Sequence, residues 1–384
     1  MWKAIASNAM SVLVVLLFVL GGVILTGRES FQAEGPLETA ICFKVPSGAN
    51  FNSVSKGLVG EGAISSAQIF TIGVDYSGKA QDLKAGSYLI QSGASMAEIK
   101  DVLTGIGRST CGTEIVYRLG ITRLSVQVRE LDPETNRFQA LETFNPAEDA
   151  LPDAYTRLRD QSDTKIRMAV AEGITSWQIV NHLKSIDFLD GAVSSIPAEG
   201  SLAPDSYEIR PGDDRNEILA KMSAAQTRLV AQAWANRAAD TPVANEEDLV
   251  ILASIIEKET AEAEERGMVA SVFANRLRQG MKLQTDPTVI YGITKGQGIL
   301  GRGLRRSELR APTPWNTYVI PALPPTPIAN PGRAALEAAA DPDSTDFIFF
   351  VADGTGGHAF AVTLAEHNRN VAVWRKIEAE RAEN

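Results

Sequence analysis

Histidine and cysteine are nearly missing from this chain of 384 residues, which has three of the first and two of the second. His182, His358 and His367 are spaced so that no two imidazoles share one face of a helix, which argues against a metal centre. No metal or cofactor is expected. Runs of Lys or Arg are missing as well. With 37 basic against 47 acidic residues and a formal net charge of -10, no concentrated basic surface is available, which argues against nucleic acid as a partner. The two cysteines, Cys42 and Cys111, leave two readings open: a disulfide in an exported protein, or a pair of buried free thiols. They flank one stretch of chain closely enough for a bond to form.

Charge is also missing locally. From Ala4 to Thr26 there is no charged residue, and Val12 to Leu20 is almost wholly aliphatic. Such a stretch is long enough to cross the hydrocarbon core of a bilayer as a helix. A cleaved signal peptide, with Lys3 as its charged end, is the alternative. The apolar run continues through Gly21 to Leu25 with no small-x-small cleavage site after it, which favours a retained anchor. The acidic stretch after Arg28 suits export, so the bulk of the chain is expected outside the cytoplasm.

The remainder predicts an α+β protein in several segments. Residues 1–27 are a cytoplasmic N-terminus and transmembrane helix, and 28–38 a linker. Residues 39–107 form a compact unit: a strand with Ile41, Phe43 and Val45, a helix from Phe51, a short helix at Ile69 to Ile72, a strand at Ala85 to Ile90, and a helix with Met96, Ile99 and Leu103. Residues 108–164 hold a β-hairpin, with Leu124, Val126 and Val128 alternating with polar residues and a turn at Asp132 to Asn136, followed by a polar loop. Residues 165–371 form the larger domain and 372–384 a C-terminal tail. Within the larger domain, helices are expected near Trp177 to Leu183, from Arg215 to Arg237, from Asp248 to Thr260 and from Arg266 to Arg278. A Gly/Pro-rich stretch runs from Thr285 to Gly332, and a buried strand lies within Asp346 to Gly354.

Two glutamates of the segment LVILASIIEKET are separated by helical geometry. At about 100° per residue, Leu249, Leu252, Ile255 and Ile256 share a face, and Glu259 lies roughly 20° from Leu252. Glu257 lies about 140° away, on the polar side with Ser254, and is expected to face water. A carboxyl held among aliphatic side chains resists ionisation, the property a general acid near neutrality needs. The competing reading makes Glu259 a structural partner of Arg276. Asn275 and Arg276 flank the apolar stripe of the following helix. Gln284, Thr285, Asp286, Thr288 and Tyr291, in the polar stretch LQTDPTVIYG, offer groups suited to sugar hydroxyl and acetamido recognition, with Asp286-Pro287 as turn initiator. Asn316, Trp315 and Tyr318 follow in TPWNTYVIPALPP, where the aromatics are stacking platforms or core.

The segments LASIIEKET, ERGMVASVFANRLRQGMKLQTDPTVIYG, WNTYVIPALPPTPIANPG and FVADGTGGHAFAVTLAEHN occur in the order and approximate spacing of a known family. On these the chain resembles the endolytic murein transglycosylases, also called YceG-like. More loosely, EGSLAPDSYEI and MAVAEGITSWQI resemble family segments too. The resemblance implies a single-pass inner-membrane enzyme with its C-terminal bulk in the periplasm or cell-wall space. It makes 39–107 a LysM-like domain and 165–371 the catalytic domain, acting on peptidoglycan glycan strands, with peptidoglycan synthases as candidate partners. The family's catalytic residue is the second glutamate of EKET, which falls on Glu259. Two departures stand out: Ala322 to Ile328 covers a stretch where the family has glycine, and Ser201-Leu202-Ala203 lacks the family's aromatics before Pro204-Asp205. A lytic transglycosylase needs one carboxyl because the nucleophile belongs to the substrate, whereas ordinary glycosidases use two. The rivals are a muramidase, with Asp286 or Asp353 positioning water, and a membrane-tethered glycan-binding scaffold without catalysis.

Overall fold

The charge-free N-terminal run forms one helix, α1 (Trp2–Gln32), in the computed structural model, which describes residues 2–105, 111–161 and 163–382. The boundary expected at 107/108 and the chain ends at residue 1 and residues 383–384 lie outside the described residues. Within α1, Leu13–Gln32 has a mean hydropathy of 1.8, so this helix is long and apolar enough to cross a membrane. The helix runs through the first part of the expected linker, and the rest of that linker is not free. Phe31 packs on Phe70 with ring centroids 6.4 Å apart, Leu37 is buried, and the Gly93 N–H donates to the Leu37 carbonyl at 2.8 Å. Burial of Leu37, with part of the Phe31 ring, docks this segment.

The chain divides into two compact units. The first comprises Met1–Val116, Gln127–Phe144 and Leu151–Ile166; the second comprises Tyr117–Val126, Asn145–Ala150 and Arg167–Asn384. The first unit continues with β1 (Ile41–Val45), α2 (Phe51–Gly60), α3 (Ala67–Tyr76), β2 (Gly86–Ile90) and α4 (Met96–Thr104), in the expected order. β1 and β2 pair antiparallel from Ile41 opposite Ile90 to Val45 opposite Gly86. Their inward side chains pack with Val54, Leu58, Phe70, Ile99 and Leu103. The Asn50 side chain caps α2, and Ser95 with Glu98 forms a capping box on α4. Cys42 and Cys111 are bonded, with Cα atoms 5.6 Å apart, which decides between the two open readings.

Three strands follow, β3 (Thr113–Leu119), β4 (Leu124–Asp132) and β5 (Arg137–Phe144), then the short helix α5 (Asp153–Arg159) and β6 (Lys165–Val170). The expected hairpin is β4–β5, and its turn is fixed by the Asp132 carboxylate, which accepts the N–H groups of Glu134 and Thr135. The polar loop expected after it contains α5, held by Tyr155 packing edge-on to Phe144 at 5.2 Å. After α6 (Ser176–Ser185) comes β7 (Ser206–Glu208), giving a five-stranded sheet in the order β5-β4-β3-β6-β7.

The rest of the second unit is mainly helical: α7 (Arg215–Ala235), α8 (Glu246–Glu259), α9 (Arg266–Arg278), α10 (Asp286–Thr294), α11 (Arg306–Arg310) and α12 (Arg333–Ala340). A hairpin of β8 (Phe349–Ala352) and β9 (His358–Ala361) precedes α13 (Leu364–Ala382). The core gathers Leu249, Leu252, Ile255 and Ile256 of α8 with Val269 and Phe273 of α9 and Leu336 of α12. Three expectations change here. The stretch from Asp286 is a helix rather than a turn, because Pro287 sits in the first turn, where its missing N–H costs nothing. β8 is half-buried rather than buried. The helix α13 runs across the boundary expected at 371/372.

The disulfide closes a loop with a sequence separation of 69 residues. Replacing both Cys42 and Cys111 by Ser is expected to lower the stability of the first unit by about 2–4 kcal/mol. Urea unfolding of the full chain measures it, and an unchanged midpoint would contradict a stabilising role.

Candidate active site

The site is built where α8 ends. Asn245 caps the helix start by accepting the Asp248 N–H at 2.9 Å, and every residue from Ile251 to Ile256 is buried. Even Ser254 is enclosed: its hydroxyl donates to the Ile251 carbonyl and accepts the Ile328 N–H. Glu259 is the last helical residue, so its carboxyl stands at the negative end of the helix dipole, which disfavours charge there. One of its oxygens, Oε1, accepts a hydrogen bond from the Thr285 hydroxyl; among the described residues the carboxyl has no other hydrogen bond. Burial holds the pKa of Glu259 above the ordinary carboxyl range, and the neighbouring Asp286 charge pushes it further. The Thr285 hydrogen bond and the charges of His358 and Arg276 act in the opposite direction.

Thr285 is itself held in place. Its N–H donates to the Thr317 hydroxyl at 3.0 Å, and the Thr288 hydroxyl donates to its carbonyl at 2.8 Å. The Tyr318 hydroxyl donates to Asp286 at 2.7 Å, which sets a phenol and a second carboxylate beside the site. Arg276 is buried, yet no ion pair joins it to Glu259 among the described residues. Its guanidinium instead donates to the carbonyls of Ile348, at 2.7 Å, and Leu283, at 2.6 Å. A structural Glu259–Arg276 pair is therefore not what the fold builds. His358, whose charge also reaches Glu259, is clamped to Glu265, which accepts the His358 backbone N–H at 2.9 Å and pairs with the ring Nδ1 at 2.8 Å. A Cβ at Gly357 would push that carboxylate aside, so any other residue there would disturb the clamp. Thr285, expected to meet sugar hydroxyls, instead holds Glu259, whereas Glu265 and His358 are not among the expected site residues. Both lie within the quoted motifs, but a histidine judged only as a metal ligand gives no signal of a clamp to Glu265.

Other expectations are corrected. Glu257 does not face water: it is half-buried, accepts the Gly332 N–H at 2.9 Å, and burial raises its pKa. The polar side of α8 meets other parts of the fold rather than solvent. Asn275 donates to the Thr345 and Phe347 carbonyls, and Asn316 to those of Glu308, Leu309 and Ala311, so both amides tie loops together. Thr288 is fully buried. Gln284 is exposed next to Thr285, with a left-handed φ of 50° that costs a non-glycine residue about 1–2 kcal/mol. Ala322 has a φ of 60°, a conformation that favours glycine.

Tyr291 belongs to a different cluster. Its hydroxyl donates to Glu199 at 3.2 Å, and Glu199 also accepts the Ser176 N–H and an Asn330 amide N–H. Burial raises the pKa of Glu199 as well, but both of its oxygens are occupied. A cleft of about 550 Å³ opens beside Glu199, lined by Tyr291, Trp315, Val250 and Pro327. Trp315 is less free than a stacking platform needs, since the Lys295 ammonium lies 3.6 Å from its ring centroid and its N–H donates to Thr326.

The YceG-like family matches residues 43–373 of the chain. An endolytic murein transglycosylase of Bacillus subtilis (strain 168) is 29% identical over 359 residues, covering 91% of this chain and 89% of that one. An endolytic murein transglycosylase of Streptococcus pneumoniae serotype 2 is 27% identical over 340 residues, covering 85% of this chain and 57% of the relative. The chain thus spans little more than half the length of the pneumococcal protein. The 2.6 Å crystal structure of a yceG-like protein from Listeria monocytogenes aligns with 86% of this chain and 99% of that one, at 24% identity and a TM-score of 0.46.

Because folded Glu259 keeps its proton to a higher pH than the unfolded chain does, the folded state binds more protons between the two pKa values, and stability falls as pH rises through that window. Above it the protein carries the cost of a carboxylate held partly out of water. Glutamine still accepts from Thr285 without that cost. Glu259→Gln is therefore expected to raise the urea midpoint at neutral pH and to leave it nearly unchanged below the ordinary carboxyl range. A variant less stable than the parent at neutral pH would contradict this.

Proposed function

The chain belongs to the YceG-like family, and from that premise we propose that it is an endolytic peptidoglycan lytic transglycosylase with Glu259 as its general acid and base. The observation that carries this reading is the Glu259 carboxyl, half-buried at the end of α8, held among the described residues by the Thr285 hydroxyl, with Asp286, Tyr318, Arg276 and His358 close by. The names of the Bacillus and Streptococcus relatives support peptidoglycan as the substrate.

In the proposed reaction, protonated Glu259 gives its proton to the oxygen of the β-1,4 bond between N-acetylmuramic acid and N-acetylglucosamine. The bond from muramyl C1 to that oxygen breaks, and the N-acetylglucosamine side leaves as an alcohol. The new carboxylate takes the proton of the muramyl 6-hydroxyl as O6 bonds to C1, closing a 1,6-anhydro ring. Glu259 is protonated again, and no water is consumed. A carboxyl biased towards its neutral form suits the first step. The charges of Arg276 and His358 oppose that bias, so the carboxylate is reachable for the second. Gln284, Asp286 and Tyr318 are proposed to meet the glycan. Arg276, Thr288, Asn275 and Asn316 shape the wall behind it, and Tyr291 the neighbouring cleft.

We further propose that α1 anchors the chain in the inner membrane with the rest outside the cytoplasm, 39–107 serving as a LysM-like glycan-binding module and 165–371 as the catalytic domain. The Cys42–Cys111 disulfide supports this orientation, since such bonds persist in oxidising compartments. From there the enzyme would cut nascent strands as peptidoglycan synthases extend them, ending their growth.

Glu259→Gln is expected to abolish release of 1,6-anhydromuropeptides, with a loss of at least about 10²–10⁴-fold. Glu257→Gln, which keeps its acceptor for Gly332, is expected to retain most activity. Mass spectrometry of digested peptidoglycan reads both. Reducing ends in place of anhydro ends would favour a muramidase with Asp286 positioning water, and glycan binding without any product would favour a scaffold.

Asp286→Asn removes the charge that helps hold the Glu259 proton. The limb of the pH–rate profile on which activity falls with rising pH is expected to move to lower pH. A limb that stays in place or moves upward would count against electrostatic coupling between the two carboxyls.

A further inference from the structure

Among the described residues, the two most exposed large apolar side chains outside α1 are Tyr76, 95% exposed, and Ile72, 68% exposed. They are four residues apart on α3 and therefore share one face of it. The same helix is the one on which α1 docks. The Phe31 ring lies against Phe70 and against Gly73, where a Cβ would collide with it. Tyr76 is one turn beyond Gly73 and Ile72 is its chain neighbour, so the exposed pair borders the line along which α1 packs.

That docking fixes the height of α3 over any membrane that α1 crosses. Phe31 is four residues past Gly27, where the charge-free run ends. At about 1.5 Å per residue this is about 6 Å, and the headgroup layer on each side of the hydrocarbon core is roughly 5–8 Å thick. We propose that Ile72 and Tyr76 insert into the interface of the leaflet from which α1 emerges, giving the first unit a second attachment beside its anchor. The inference rests on α1 spanning a bilayer.

A lipid interface is the occupant that the surroundings select. Tyrosine is favoured at that depth, where its ring is shielded and its hydroxyl stays hydrated. From Ala67 to Gly78 the only charged residue is Asp75, and the whole chain carries a formal charge of -10, so the contact is apolar and does not depend on anionic lipid. The tether keeps the lipid surface next to α3 at all times, whereas a soluble partner would have to be recruited.

The test uses the full chain in vesicles of zwitterionic phosphatidylcholine. Because Cys42 and Cys111 are bonded to each other, Asp75→Cys supplies a single thiol for an environment-sensitive dye and leaves Ile72 and Tyr76 in place. Leu20→Cys, labelled in the same way, reports on α1. Blue-shifted emission is expected from both dyes, with the dye at 75 quenched by lipids brominated near the headgroup. In the Ile72→Ser, Tyr76→Ser double variant the dye at 75 should return to its aqueous emission. A dye buried at 20 with an aqueous one at 75 would overturn the proposal and leave the anchor standing. Aqueous emission at both positions would remove the anchor and the proposal with it. A blue shift at 75 that survives the double substitution would show that α1 alone holds α3 there, and would also overturn it.

Discussion

A helix whose stretch from Ile251 to Ile256 is buried on every side, and which yet ends in a carboxyl, is the constraint on which the second unit depends. Leu249 and the apolar residues from Ile251 to Ile256 pack in one core with residues of α9, α12 and Ile328, and each fully buried leucine or isoleucine contributes about 1.5–3 kcal/mol. That sum holds α8 in place while its last residue is taken largely out of water. A carboxyl on an exposed helix end would ionise freely. Here the core supplies the free energy that keeps Glu259 in a setting where the neutral acid is favoured, and the walls around it are aligned by side chains that tie backbone segments together. Arg276 joins Ile348, just before β8, to Leu283 through their two carbonyls, and Asn275 joins α9 to the chain before β8.

Much of this was legible in the residues. The alternation at Ile41 to Val45 and the helical spacing from Phe51 to Leu103 give the first unit element by element, because in a small unit each apolar residue has one place to go. The side of α8 on which Glu259 lies follows from spacing alone. Its opposite, Glu257 facing water, does not hold, because an amphipathic pattern shows which side is more apolar and not whether the other side is covered. Gly332 and its backbone N–H, 75 residues away in the chain, supply that cover.

The polar residues were the hardest to place, for a related reason. Asn275, Asn316, Gln284 and Tyr291 look alike as hydrogen-bonding groups in a row of motifs. Which of them faces a substrate depends on whether backbone carbonyls elsewhere claim them first. Three carbonyls claim Asn316 and two claim Asn275, whereas Gln284 is left at the surface in a strained conformation. Such long-range bookkeeping has no period and leaves no trace in spacing. The Glu265–His358 clamp escaped notice in the same way, since its members are 93 residues apart.

The single hydroxyl on Glu259 has a meaning of its own. A backbone N–H in that position could only donate, and would favour the anion throughout a cycle that passes through both protonation states. An arginine would do so more strongly. The Thr285 hydroxyl can donate to the carboxylate or accept from the carboxylic acid by turning one hydrogen about its C–O bond, with no heavy atom displaced. Its oxygen is fixed because the backbone on either side is pinned by Thr288 and Thr317, so only the hydrogen is free to move. The partner of a group that must be acid at one moment and base at the next can thus stay bonded to both, favouring the anion while burial favours the acid.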